Sequence, residues 1–193
     1  MPAPGEPRPL VRPEAPADVP VVREVVAAAF GEEPVAELLD GLRASTAWRD
    51  LSFVAELAGE VVGHVSFTRG WLDAPRRLVE VLVLSPLSVR PDLHARGIGS
   101  ALVREALDAL ADRPEPVTFL EGAPAYYPRF GFVPGETLGF TRPSARIPPA
   151  AFMALPRPTY RPWMRGALVY PELFWEHDCV GLRDSGDGPP AAT

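Results

Sequence analysis

The chain has 193 residues, 47% of them hydrophobic, with a formal charge of −6 and a mean hydropathy near zero. These values fit one soluble domain with a real core and weigh against nucleic acid as a partner, because phosphates call for a basic face. A single cysteine, Cys179, excludes an internal disulfide framework and a cysteine-built metal site, so the reducing cytoplasm is the expected compartment.

Residues 1–9 are proline-rich and lack the apolar run of a signal peptide, so a flexible lead-in is expected before a domain spanning residues 10–178. No segment reads as a membrane span. A strand is predicted over Leu10 to Pro13. Asp18 is placed to cap a helix whose Val21, Val22, Val25, Val26, Ala29 and Phe30 share one broad face, and a second helix follows Pro34 through Leu38, Leu39 and Leu42. Phe53 to Leu57 and Val61 to Phe67, joined by Ala58-Gly59-Glu60, read as a hairpin. The run Leu78 to Leu84 is too uniformly apolar to be half solvated and is predicted at the centre of the sheet. Pro86 has no N–H to give, so pairing is expected to break there. If the strand parts from a neighbour at that point, the backbone groups of Leu87 and Val89 become free to bind an extended, amide-containing ligand.

A loop and helix follow. From Gly97 to about Asp112, residues Gly99, Leu102, Val103, Ala106, Leu107 and Leu110 recur at helical spacing on one side. The free N–H groups and dipole of the helix start, with Arg96 beside them, favour an anion. Gly97 would admit a ligand close to the backbone, and Gly99 would let the helix press on the strands. Two ligands compete for this turn. A dinucleotide turn needs a third glycine at position 102, where Leu102 stands, and needs its glycines directly after the strand, whereas seven residues separate Val89 from Gly97. Glu121, closing the predicted strand Val117 to Leu120, could serve as a ribose-binding acid but repairs neither fault. A coenzyme A pyrophosphate on the helix start, with its pantetheine arm in the gap at Pro86, accounts for both ends of one ligand.

Three stretches, Ser85 to Pro91, His94 to Gly99 and Gly122 to Phe132, resemble in order and spacing the GNAT family of N-acetyltransferases, and within it a YhbS-like subgroup. Phe152-Met153 and Gly166 to Pro171 extend the resemblance over roughly residues 10 to 178. It implies an α/β (α+β) fold: a mixed central sheet, splayed at the fourth strand and flanked by helices. It implies acetyl-CoA as cofactor, an amine acceptor that is a small molecule or a protein, no nucleic acid and no membrane, and it allows a homodimer. The cofactor would be held by Leu87, Ser88 and Val89, by His94, Arg96, Gly97, Ile98, Gly99 and Ser100, and by Tyr127. His94 stands where the family usually has Gln or Arg.

Acetyl transfer to an amine needs an unprotonated nucleophile, an oxyanion donor and a proton for the leaving thiolate. The resemblance assigns the acid to Tyr127, four residues before Gly131, and the donor to the Leu87 N–H; Tyr126 is expected to be packing. Glu80 and Glu121 are the first candidates for the base, with Glu56 and His64 behind them. The segment from Thr137 to Tyr170, with Trp163, is expected to wall the acceptor side, and residues 179–193 to form a flexible tail. A non-catalytic acetyl-CoA-binding or interaction module is the competing reading, and a nicotinamide-dependent oxidoreductase ranks third.

Overall fold

The computed structural model describes residues 8–31 and 33–183; the expectations for residues 1–7 and 184–193 lie outside the described residues. Strand β1 (Leu10–Pro13) leads through a 3-10 turn into α1 (Val19–Phe30) and α2 (Glu33–Arg43). Strands β2 (Trp48–Leu57), β3 (Glu60–Ala74) and β4 (Arg77–Val89) follow, then α3 (Ile98–Ala109) and β5 (Val117–Glu121). A 3-10 turn at Tyr127–Phe130 precedes β6 (Val133–Pro134), β7 (Phe140–Thr141), β8 (Phe152–Pro156), β9 (Gly166–Val169) and a short α4 (Leu173–Glu176). The sheet order is β1-β2-β3-β4-β5-β8-β6, with β9 paired to the far half of β3 and β7 to β9. The sheet is mixed: β4 with β5, and β7 with β9, run parallel, and the other pairs antiparallel.

Local chemistry explains the elements. Ala58 and Gly59 both take positive φ, 52° and 86°, as a two-residue hairpin turn between right-twisting strands requires. From Val79 to Leu84 in β4 the alternation is strict. Val79, Val81 and Val83 join Leu72, Phe119, Phe152 and the α4 residue Phe174, while Leu82 and Leu84 join Phe67, Leu120 and the α3 residues Leu102 and Ala106. Helices α1, α2 and α4 therefore cover one face and α3 the other, with Val22, Val26, Ala36 and Leu39 closing on Val54. Each fully buried leucine or phenylalanine here contributes about 2 kcal/mol of transfer free energy. No helix among the described residues is long and apolar enough to cross a membrane.

Two expectations are corrected. Asp18 stands at the first turn of α1 but makes no side-chain cap; its carboxylate takes the Ala15 N–H at 2.8 Å and Arg12 Nη1 at 2.6 Å, closing the preceding 3-10 turn instead. The packed body also runs past residue 178. Val180 is fully buried in the core beneath α4, and the Gly181 N–H donates to Glu121 at 3.1 Å, so residues 179–181 belong to the domain rather than to a tail.

Candidate active site

The site begins at an irregularity in β4. Opposite β3, Leu84 pairs with Phe67 and Leu87 with Val65, so Ser85 and Pro86 together face the single residue Ser66. This bulge reverses the alternation. Before it the even residues Leu82 and Leu84 point toward α3; after it the odd residues Leu87 and Val89 do, and Ser88 faces the opposite layer. Backbone directions follow. The Arg90 N–H donates to the Val62 carbonyl on β3, so Ser88 and Arg90 face β3, and the backbone groups of Leu87 and Val89 face the other edge. That edge is open: β5 pairs with β4 only at Leu82 and Val83.

The open edge leads directly to the start of α3. Ala95 and Gly97 take positive φ, 63° and 82°, and Gly97 is the N-cap with no side chain capping the helix. The first bond into the helix runs from the Ala101 N–H to the Gly97 carbonyl, so the N–H groups of Ile98, Gly99 and Ser100 precede the helical ladder. Nothing lies within 4 Å of where a Cβ on Gly97 would stand. His94 turns back: its Nε2 lies 2.9 Å from the Val89 carbonyl, where it must act as the donor. Its side chain pins the loop to the strand end, and Arg96 beside it is exposed.

Two tyrosines close the site over α3. The Tyr126 hydroxyl is 3.3 Å from Ser100 Oγ, and a Cβ on Gly99 would come within 3.0 Å of it. Arg129 lies over the Tyr126 ring, 4.8 Å from its centroid. Tyr127 is buried against Tyr126, Phe130 and Phe132, and its hydroxyl has no hydrogen-bond partner among the described residues. Burial, reinforced by Tyr126, pushes its pKa well up. Its ring lies on Gly122, where a Cβ would fall 2.2 Å from Tyr127 Cε2.

A strand edge left open for an amide-bearing arm, continuous with an uncapped helix start, is a site shaped for a long ligand that ends in phosphate. A profile of the Acetyltransferase (GNAT) family matches residues 21–132. The chain belongs to the GNAT family. Over 122 residues it is 35% identical to the Escherichia coli K12 uncharacterized N-acetyltransferase YjhQ, a match covering 61% of this chain and 65% of that relative. Among solved structures it superposes on E. coli YhbS, a GNAT family N-acetyltransferase in complex with CoA. The TM-score is 0.77 at 26% identity, over 87% of this chain and 92% of YhbS. A GNAT family acetyltransferase from Brucella melitensis in complex with acetyl-CoA gives 0.68 at 31% identity, over 86% and 97%.

Within the GNAT fold, the expected mixed sheet splays beside its fourth strand, and the two carboxylates proposed from sequence are separated. Glu121 ends β5, where β4 has left it, on the layer of Val117 and Phe119 and away from α3. It accepts from the Gly181 N–H and the Tyr170 hydroxyl; burial outweighs both and raises its pKa. Glu80 is not brought to the site. It lies seven residues before Leu87, roughly 20 Å along the strand. There it takes Arg49 Nε at 2.8 Å and lines a cavity with Arg77, Arg113 and Glu115, beyond the far end of α3. Trp163 is at that end too, stacked by Arg76 and Arg77 and packed against the layer of Val117 and Phe119. Ser88 turns its side chain from α3 and its backbone to β3, so of Leu87, Ser88 and Val89 the middle residue offers nothing to the open edge. Tyr126, expected to be packing, carries the hydroxyl that reaches the helix start, and no spacing in the sequence separates it from Tyr127. Glu56 pairs with Arg12 at 3.1 Å on the edge of the sheet.

Proposed function

We propose that this chain is an acetyl-CoA-dependent N-acetyltransferase of the cytoplasm, moving the acetyl group to a primary amine by direct attack on the thioester. The observation that carries the reading is the unbroken succession of open β4 edge, left-handed Gly97 and uncapped α3. Together they offer an arm-binding edge and a pyrophosphate cradle in the order coenzyme A requires. The ligands of YhbS and of the Brucella protein support the same reading. Acetyl-CoA supplies an activated acyl thioester; the chain's own residues must hold it and move two protons.

Ile98, Gly99 and Ser100 give their N–H groups to the pyrophosphate, with Arg96 adding charge. Leu87 directs its N–H at the carbonyl oxygen, where negative charge grows as the amine attacks. Glu121, made more basic by burial, takes the proton that the nitrogen loses, and Tyr127, a phenol protonated at neutral pH, gives one to the departing sulfur. A carbon–nitrogen bond forms and the carbon–sulfur bond breaks, with one proton taken and one given. The acceptor, a small molecule or a protein amine, approaches from the Glu121 layer.

Calorimetric titration with acetyl-CoA, repeated on Gly97→Glu, tests the cradle. A carboxylate on a backbone already at φ 82° adds like charge and left-handed strain, so affinity should fall at least about 100-fold. Unchanged affinity would refute the placement. Thiol release is then followed over a panel of amines. Tight binding without release to any amine would leave a binding module and not an enzyme.

A further inference from the structure

Pro86 poses a problem that the bulge solves. Along β4, residues facing α3 also turn their backbone toward the β5 edge: Leu82, Leu84, Leu87 and Val89 form this set. With uninterrupted alternation the member after Leu84 would be residue 86, and proline has no N–H. The edge would then lack a donor just beyond the last β4–β5 pair. Placing Ser85 and Pro86 together opposite Ser66 advances the chain by one residue and brings Leu87 into that position.

A bulge leaves ladder groups unpaired, and each needs a partner or the irregularity slides. Here the partner is Ser66. It sits on β3 opposite the bulge, is fully buried, and its Oγ–H donates to the Ser85 carbonyl at 2.9 Å. The flanking positions on its face of β3 do not substitute for it: His64 Nε2 is spent on Ser52, and Thr68 Oγ1 has no partner among the described residues.

We propose that Ser66 is a positioning residue, whose hydrogen bond to the Ser85 carbonyl fixes the bulge in the register that presents the Leu87 N–H, in place of Pro86, to the reacting carbonyl. The proposal rests on the acetyltransferase reading above. It predicts an effect on carbonyl polarisation separate from cofactor affinity, because the α3 donors to the pyrophosphate are untouched.

The test reads the bound thioester and needs no acceptor. Acetyl-CoA labelled with 13C at the acetyl carbonyl is bound to the wild type, to Ser66→Ala and to Ser66→Cys, and carbon NMR compares the carbonyl resonance with that of the free ligand. A hydrogen bond at that oxygen moves the resonance downfield in the wild type. In Ser66→Ala the shift should drop by roughly half or more, since hydrogen bonds weaken steeply with misalignment, while the dissociation constant stays within about threefold. Ser66→Cys, nearly isosteric with a weak donor, should fall between. A full wild-type shift in either folded variant overturns the role of Ser66 while leaving the acetyltransferase reading intact; absence of acetyl-CoA binding by the wild type would instead remove that reading and the proposal with it. Should Ser66→Ala unfold, the Ser66→Cys spectrum decides.

Discussion

Mild acid should weaken this fold through one histidine. His64 is fully buried on β3, its Nε2 2.8 Å from Ser52 Oγ. Ser52 gives its hydroxyl hydrogen to Glu14, whose other oxygen takes Arg43 Nη2 at 2.5 Å. Having spent its hydrogen, Ser52 can only accept from His64, so the proton is on Nε2 and Nδ1 is bare. Nδ1 is buried and unpartnered among the described residues. A second proton would have to go there. Burial and the Arg43 charge hold the pKa of His64 below 6.5 despite the pull of Glu14.

Between that lowered value and the unfolded one, near 6.5, the unfolded chain binds more protons than the folded one. Stability is therefore complete above about pH 6.5 and falls as pH drops, by at most about 1.4 kcal/mol per unit. At pH 5.5 the loss is bounded at about 1.4 kcal/mol, roughly 3–6 °C in Tm for a chain of this size. Glu14 adds nothing in this window. Burial pushes its pKa up, but hydrogen bonds from His64 and Ser52, with the charge of Arg43, more than offset that, so its share is lost only below about pH 4.5. Urea unfolding of wild type and His64→Gln at pH 7.5, 6.5 and 5.5 isolates the effect. The wild type should lose about 1 kcal/mol more than the variant across that range. Equal slopes, or a wild type that gains stability on acidification, would refute the assignment of a neutral buried ring.

Gly122→Ala should displace the Tyr127 ring by more than about 1 Å, given an added Cβ 2.2 Å from Cε2. The expected results are a loss of about 1–3 kcal/mol in unfolding free energy and about 100-fold in thiol release with any amine the panel identifies. Tyr127→Phe should lose turnover while keeping stability within about 1 kcal/mol, which separates chemistry from packing. Glu80→Gln should leave turnover within about twofold, since its carboxylate serves a partly exposed ion pair with Arg49. Glu121→Gln should lower turnover and abolish the acidic limb of the pH–rate profile. In the wild type that limb should lie above the usual carboxylate range, the rate falling as pH falls through the raised pKa of Glu121.

Residues that speak for their own neighbourhood were legible in the sequence. The Ala58-Gly59 hairpin, the central run at Leu78 to Leu84, and the helix start at Gly97 each follow from a few adjacent side chains. What Pro86 does was half legible: a missing N–H announces a break, but only the pairing with β3 shows that the break is a bulge and that the opening is toward β5. Glu80 misled because strand membership says nothing about which end of the strand is open. The Glu14–Ser52–His64 chain joins residues 38 and 12 positions apart, and nothing local predicts such a register. Nothing around Val180 in the sequence marks a continuing element, since its burial depends on the distant core beneath α4, so the extension of the domain past residue 178 is visible only in the structure.

The family match over residues 21–132 and the cooperative unit of this protein have different borders. Glu14, which anchors His64, lies upstream of the match; β8, which covers the outer edge of β5, and the Tyr170 and Gly181 groups that hold Glu121, lie downstream. A fragment trimmed to the shared region would keep every glycine of the cofactor loop and lose the groups that set the protonation of its candidate base. Inheritance marks out the donor half of this molecule, whereas mechanical integrity, and with it any choice of where to truncate or fuse, extends across nearly the whole described chain.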